Sequence, residues 1–214
     1  MSSYYQGRVS AFLVHSLERV GIDPLQTPHA EALCNGLDFL AALYGPDGYK
    51  CSLLEAKPWY WEGHGEVVSH PFDVFALARG WRLFGKAAYG RAALAAYRAW
   101  ASCLDRDGRP RARRGRDGRE DYQCSLFWAG HACWAARALE DLEALDAAGQ
   151  EGLSLAPAVQ EFEQASLYRL ENERVVAWVR GSRPGRNAMH GSPHGAGLIR
   201  VVSKATGSEL LQRR

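Results

Sequence analysis

The chain has 214 residues, 47% hydrophobic and 23% charged, an ordinary globular composition with room for one large domain or two small ones. A formal net charge of +2 is too small to imply nucleic acid as a partner, and no run approaches the roughly 18 apolar residues of a membrane span. Five cysteines, odd in number and without a CxxC pair or zinc spacing, read as small buried hydrophobes; with no leader-like pattern at the start, a cytoplasmic location is favoured.

Residues 4 to 20 space Val9, Phe12, Leu13, Leu17 and Val20 for an amphipathic helix, which Gly21 and Pro24 end. A second helix over 28 to 44 carries Leu33, Leu37, Leu40, Ala41 and Tyr44 and stops at Gly45-Pro46-Asp47-Gly48. Residues 49 to 70 lack a sustained period but hold the cluster Trp59-Tyr60-Trp61-Glu62, and long irregular loops in compact domains are commonly functional. Pro71 opens a third helix with Val74, Leu77, Ala78, Trp81 and Phe84 on one face, ending at Gly85. The fourth, from about 87 to 104, presents Ala88, Ala92, Ala95 and Ala99, a face that another helix can approach closely. A second Asp-Gly turn at Asp107-Gly108 follows it, about sixty residues after the first, as in a repeat of helical hairpins.

Arg109 to Glu120 holds six arginines and reads as a solvated loop or a surface for an anionic polymer. One long fifth helix is expected from Asp121 to about Ala148, with Phe127, Gly130, Trp134, Ala138, Leu142 and Leu145 on one face. His131, among apolar neighbours, reads as a core histidine. From Ser166 the period becomes two: Leu167 to Leu170 and Glu173 to Arg180 form a hairpin, Leu198 to Val202 a third strand and Glu209 to Leu211 a short last one. The expected organisation is a mainly α protein: a helical-hairpin domain over 1–150, a linker over 151–165 and a partial antiparallel sheet over 166–214. Few strands without obvious cover leave an open edge. The chain is therefore expected to be a piece of a larger protein, or to have its sheet completed by a partner chain.

Ser69-His70-Pro71-Phe72-Asp73 at one helix start, Asp121-Tyr122-Gln123 at another, and Asn187 to Gly197 between strands lie in an order that resembles the heparinase-type polysaccharide lyases. Those enzymes join an (α/α) toroid to a β-sandwich, so the resemblance implies the end of an incomplete toroid and the start of a sandwich. It implies an acidic polysaccharide or oligosaccharide bound in a cleft between the two, with Tyr and His as base and acid and Asn, His or Arg neutralising a uronate carboxylate. The loop His190-Gly191-Ser192-Pro193-His194 departs from the family's His-Gly-His pattern.

β-Elimination at a uronic acid needs the carboxylate's charge offset and a base within hydrogen-bond reach of the α-proton. Tyr60, His70, Tyr122 and His190 are the candidates for acid–base work. Arg183, Arg186 and Asn187 are the candidates for offsetting the carboxylate, with His194 as a further substrate-binding candidate, and Trp59, Tyr60 and Trp61 for stacking on sugar rings. His70 at a helix start also reads as a packed polar group. The four-residue spacing of His190 and His194 would suit a metal on a helix, which Gly191 and Pro193 exclude, so neither metal nor cofactor is expected. Two other functions fit the same residues: a glycoside hydrolase using carboxylates such as Glu62, Asp73 and Asp121, and a non-catalytic module that binds sugar or a partner chain.

Overall fold

The computed structural model describes residues 5–51, 67, 69–109, 125–148, 158–181 and 197–212. Within them the chain is mainly α, with six helices followed by an antiparallel sheet of five strands. The helices are α1 (Tyr5–Arg19), α2 (Ala30–Leu43), α3 (His70–Phe84), α4 (Ala87–Ser102), α5 (Ser125–Arg137) and α6 (Leu139–Ala148). The first four agree with the apolar periodicity to within two residues at most ends, because each has a stop residue. Gly85, for example, ends α3 in the left-handed conformation and donates its N–H back to Trp81 O at 2.8 Å.

Helix α3 is the centre of the helical half and touches α1, α2, α4, α5 and α6. Its sequence reads as one apolar face, yet every residue from His70 to Ala78 is buried. A helix surrounded by five others has no solvent side for its first turns, so Ser69, His70 and Asp73 are carried inside with the apolar residues. Leu37, Leu40, Phe75, Leu77, Tyr89, Ala93, Leu142 and Leu145 fill the rest of this core.

The expected single helix from Asp121 is two helices over its described part. Ala138 N–H bonds to Ala135 O, three residues back, and this tightened turn interrupts the ladder between α5 and α6. Ala135, Ala138, Leu142 and Leu145 still share the buried side, and His131 is buried as its neighbours suggested. No Pro or Gly marks the break, which is why periodicity alone passes over it.

The two Asp-Gly turns recur in geometry as well as in sequence. Gly45 N–H bonds Tyr49 O at 3.1 Å and Gly48 N–H bonds Gly45 O at 3.0 Å; in the second turn the matching bonds, Asp105 to Arg109 and Gly108 to Asp105, are 2.8 and 3.0 Å. Gly48 and Gly108 have φ of +77° and +75°, which glycine adopts without a Cβ penalty. At Gly48 there is a second constraint, since a Cβ would stand 2.2 Å from Ala95 O on α4. Along this part of the alanine-rich face, the close neighbour is therefore a turn rather than a helix.

The strands are β1 (Ala158–Phe162), β2 (Leu167–Glu171), β3 (Val175–Arg180), β4 (Gly197–Ser203) and β5 (Glu209–Gln212), each pairing antiparallel with the next. Strands β2 to β5 follow the alternation in the sequence. Strand β1 falls inside the range expected to be a linker. It is an edge strand whose Ala-Val-Gln-Glu-Phe is mostly exposed, so it shows no buried alternation. Phe39 and Leu43 of α2 pack with Leu167, Val176, Trp178, Ile199 and Val202 in a core shared by helices and sheet. None of the described helices is long and apolar enough to cross a membrane.

Candidate functional site

Strand geometry fixes which side chains of the sheet face the helices. Because successive residues alternate sides, Leu167, Arg169 and Glu171 of β2 share one face, and all three are buried. The register sets Arg169 opposite Trp178, and Trp178 opposite Arg200, so a row of large side chains crosses the inner face of β2, β3 and β4. Two of the three are arginines, and a buried arginine needs a counter-charge or hydrogen-bond acceptors.

Arg200 finds them in the first Asp-Gly turn. Its Nη2 donates to Asp47 Oδ2 at 2.5 Å, its Nη1 donates to Tyr49 O at 2.8 Å, and its guanidinium lies 5.3 Å from the Trp178 ring centroid. Trp178 in turn donates Nε1–H to Ala42 O at 2.8 Å, near the end of α2. The turn between α2 and the following loop is thereby tied to the sheet.

Beside this tie a cleft of about 660 Å³ opens between α2, α4 and the sheet. Its walls are Asp38, Tyr44, Asp47 and Tyr49 on the α2 side, Arg91, Arg98 and the alanines Ala88, Ala92, Ala95 and Ala99 on α4, and Gln160, Arg169, Glu171 and Lys204 on the sheet side. The carboxylates are committed to cations: Asp38 to Lys86 at 2.7 Å, Asp47 to Arg200, and Glu171 to three groups at once. Arg169 Nη1 lies 2.5 Å from Glu171 Oε2, Lys204 Nζ 2.9 Å from Oε1, and Arg91 reaches both oxygens at 3.3 and 3.4 Å. Burial alone would raise the Glu171 pKa, but the Lys204 hydrogen bond and the Arg169 and Arg91 charges outweigh it and hold the carboxyl below its usual range. Burial also lowers the pKa of Arg169, against the pull of Glu171.

Behind the cleft wall lies a second polar group, at the start of α3. Tyr44 OH donates to Asp73 Oδ2 at 2.5 Å, Lys50 Nζ lies 2.9 Å from the same oxygen, and Lys50 Nζ donates to Ser69 Oγ at 2.5 Å. His70 is wholly buried, with its ring edge-on to Tyr44 at 5.3 Å and to Tyr49 at 6.3 Å. The Gly48 carbonyl 2.9 Å from Nε2 can only accept, so Nε2 carries the proton of the neutral ring. Nδ1 has no hydrogen-bond partner among the described residues.

Desolvation, reinforced by the Lys50 charge, lowers the His70 pKa to about 3 against an ordinary 6.5. The group is neutral when folded and titrates near 6.5 when unfolded, so the unfolded chain binds the extra proton between those values. Stability is therefore expected to be complete above pH 6.5 and to fall as pH drops toward 3, by at most about 1.4 kcal/mol per pH unit from this group. Denaturant titrations at a series of pH values, repeated on His70→Gln, check it: the variant should lose this part of the slope.

His70 and Asp73 are the expected site residues among the described residues, and Asp73 is wholly buried and paired with Lys50, so it presents no carboxylate to the cleft for hydrolysis. Trp59, Tyr60, Trp61, Tyr122, Arg183, Arg186, Asn187, His190 and His194 lie outside the described residues, as do Glu62 and Asp121. Among the described residues no group of three or more His, Cys, Asp or Glu is arranged to hold a metal. What the sequence reading passed over is the set Arg91, Arg169, Glu171 and Lys204. Strand parity was the available signal for two of them, because Arg169 and Glu171 fall in step with buried Leu167. Nothing local marks Arg91 or Lys204: Arg91 reaches Glu171 from α4 across the cleft, and Lys204 reaches it from the turn after β4. Comparison with protein-family models, curated proteins and solved structures finds no match for the chain.

Proposed function

We propose that this is a carbohydrate-active protein that takes an acidic polysaccharide or oligosaccharide into the cleft between its helical hairpins and its sheet, in the manner of a toroid-type polysaccharide lyase. The observation that carries the reading is the charge of that cleft. With Asp38 and Asp47 neutralised by Lys86 and Arg200, and Arg98 paired with Asp146, three cations among the described residues remain around one carboxylate, Glu171. Low-dielectric walls focus such an excess on an anionic chain. Tyr49, half-buried on the same wall, supplies aromatic surface suited to the apolar face of a sugar ring. Offsetting a uronate's charge is also the first requirement of β-elimination.

Hydrolysis with paired carboxylates is less well supported, since a general acid must hold its proton near neutral pH and the cleft's carboxylates are committed to cations. A second reading, binding without turnover, is favoured by the burial of His70, which leaves its imidazole no exposed edge. Calorimetric titration with a uronic-acid oligosaccharide and with a neutral one of equal length, alongside ultraviolet detection of new double bonds, tests these together. The acidic ligand is expected to bind at least about tenfold more tightly than the neutral one, the difference shrinking as salt is added. Equal affinities would sink the proposal; selective binding with a flat absorbance trace would leave the binding module.

A further inference from the structure

The geometry points to an oxyanion subsite in which Glu171 occupies, as an internal counter-anion, the place that a ligand's anionic group shares or takes over; as a site for saccharide it rests on the function proposed above. The four side chains come from separate parts of the chain: Arg91 from α4, Arg169 and Glu171 from β2, and Lys204 from the turn after β4. Each Glu171 oxygen faces two donors, Oε1 receiving Lys204 Nζ and Arg91 Nη1, and Oε2 receiving Arg169 Nη1 and Arg91 Nη2. Among the described residues, one carboxylate against three cations leaves an excess of two positive charges in this cluster on the cleft wall. An uncompensated excess of that kind is costly in a partly dry site and is relieved by an anion.

Two details show where that anion would sit. The Arg91 contacts, at 3.3 and 3.4 Å, are long for a charge-assisted pair, normally about 2.7–2.9 Å, so this guanidinium is the least committed of the three. Its side chain is 34% exposed and that of Lys204 27%, whereas those of Arg169 and Glu171 are at 6% and 1%. Arg169 also has Nε without a hydrogen-bond partner among the described residues, although the residue is 95% buried by its 5% exposure. The buried pair thus forms the base of the subsite, and Arg91 and Lys204 form its rim. A carboxylate or a sulfate ester offers the flat or tetrahedral oxygens that this fork can take.

Titrations of the full chain with inorganic sulfate, and separately with a uronic-acid oligosaccharide, test the subsite in low-salt buffer. Arg91→Ala and Lys204→Met, both at partly exposed positions, are expected to weaken sulfate binding about tenfold or more, the loss of one charged hydrogen bond. Glu171→Gln removes the competing anion and is expected to strengthen sulfate binding by about tenfold, a gain that a purely structural role would not produce. Unchanged sulfate affinity in both Arg91→Ala and Lys204→Met overturns the subsite even should Glu171→Gln fail to fold, and weaker binding by a folded Glu171→Gln overturns the counter-anion role. Sulfate binding that depends on Arg91, with no binding of the oligosaccharide, upholds the subsite and removes the saccharide reading. Oligosaccharide binding indifferent to Arg91 and Lys204 does the reverse.

Discussion

Replacing Arg200 with alanine is expected to cost about 3–5 kcal/mol of stability, the usual penalty for breaking one side of a buried ion pair, and to lower the melting midpoint by roughly 10 °C. Arg200 is 2% exposed and Asp47 7%, so the carboxylate left behind would be held near the protein interior without its guanidinium. Tyr49 O would lose its donor from the same side chain, and Trp178 the cation over its ring. The damage should not stop at the sheet, because Asp47 and Tyr49 belong to the turn that forms one wall of the cleft. Chemical denaturation followed by tryptophan fluorescence measures the stability change. Arg200→Lys separates charge from geometry: it keeps the ion pair with Asp47 but cannot also fork to Tyr49 O, so it should recover part of the loss. A change below about 1 kcal/mol for Arg200→Ala would mean that the turn is not anchored through this residue.

The helices were legible in the sequence because each carries its own period and punctuation. Gly85 needs no tertiary information to end α3, and Asp47-Gly48 and Asp107-Gly108 announce turns that recur with the same hydrogen bonds. The hairpin of β2 and β3 was legible for the same reason, since Leu167, Val176 and Trp178 alternate with more exposed neighbours. Strand β1 was not, because an edge strand with one half-covered phenylalanine has little hydrophobic pattern to read. The break at Ala138 leaves the buried positions in step, so periodicity runs straight across it. The cleft was harder still. Its charges belong to residues that look like ordinary surface residues in isolation. Arg91 stands in an alanine-rich helix and Lys204 in a turn; only the fold brings them to Glu171 from distances of 80 and 33 residues along the chain.

Asp73→Asn is expected to be comparably severe, about 3–5 kcal/mol, through a different mechanism. Asp73 has no exposed surface and Lys50 is 3% exposed, so the substitution removes the opposing charge from an ammonium group in the interior. The site has little capacity to rearrange. Helix α1 crosses so closely at Gly7 that a Cβ there would lie 1.6 Å from Asp73 Oδ1, and Tyr44 OH is held on the other oxygen. An asparagine of the same shape must turn either its oxygen or its amide toward Lys50, and with the amide inward it would present donors to a donor. Lys50→Met on the Asp73→Asn background removes the buried ammonium that Asp73 opposed, and the double variant should therefore be more stable than Asp73→Asn alone, with a coupling of about 1–3 kcal/mol in a double-mutant cycle. Additive losses would place the cost in packing around Asp73 rather than in the ion pair. Because Tyr44 lines the cleft while its hydroxyl is bonded to Asp73, the same variants bear on binding. Asp73→Asn should loosen the aromatic wall and weaken ligand affinity beyond what its residual folded fraction accounts for, and the double variant should restore stability without restoring that affinity.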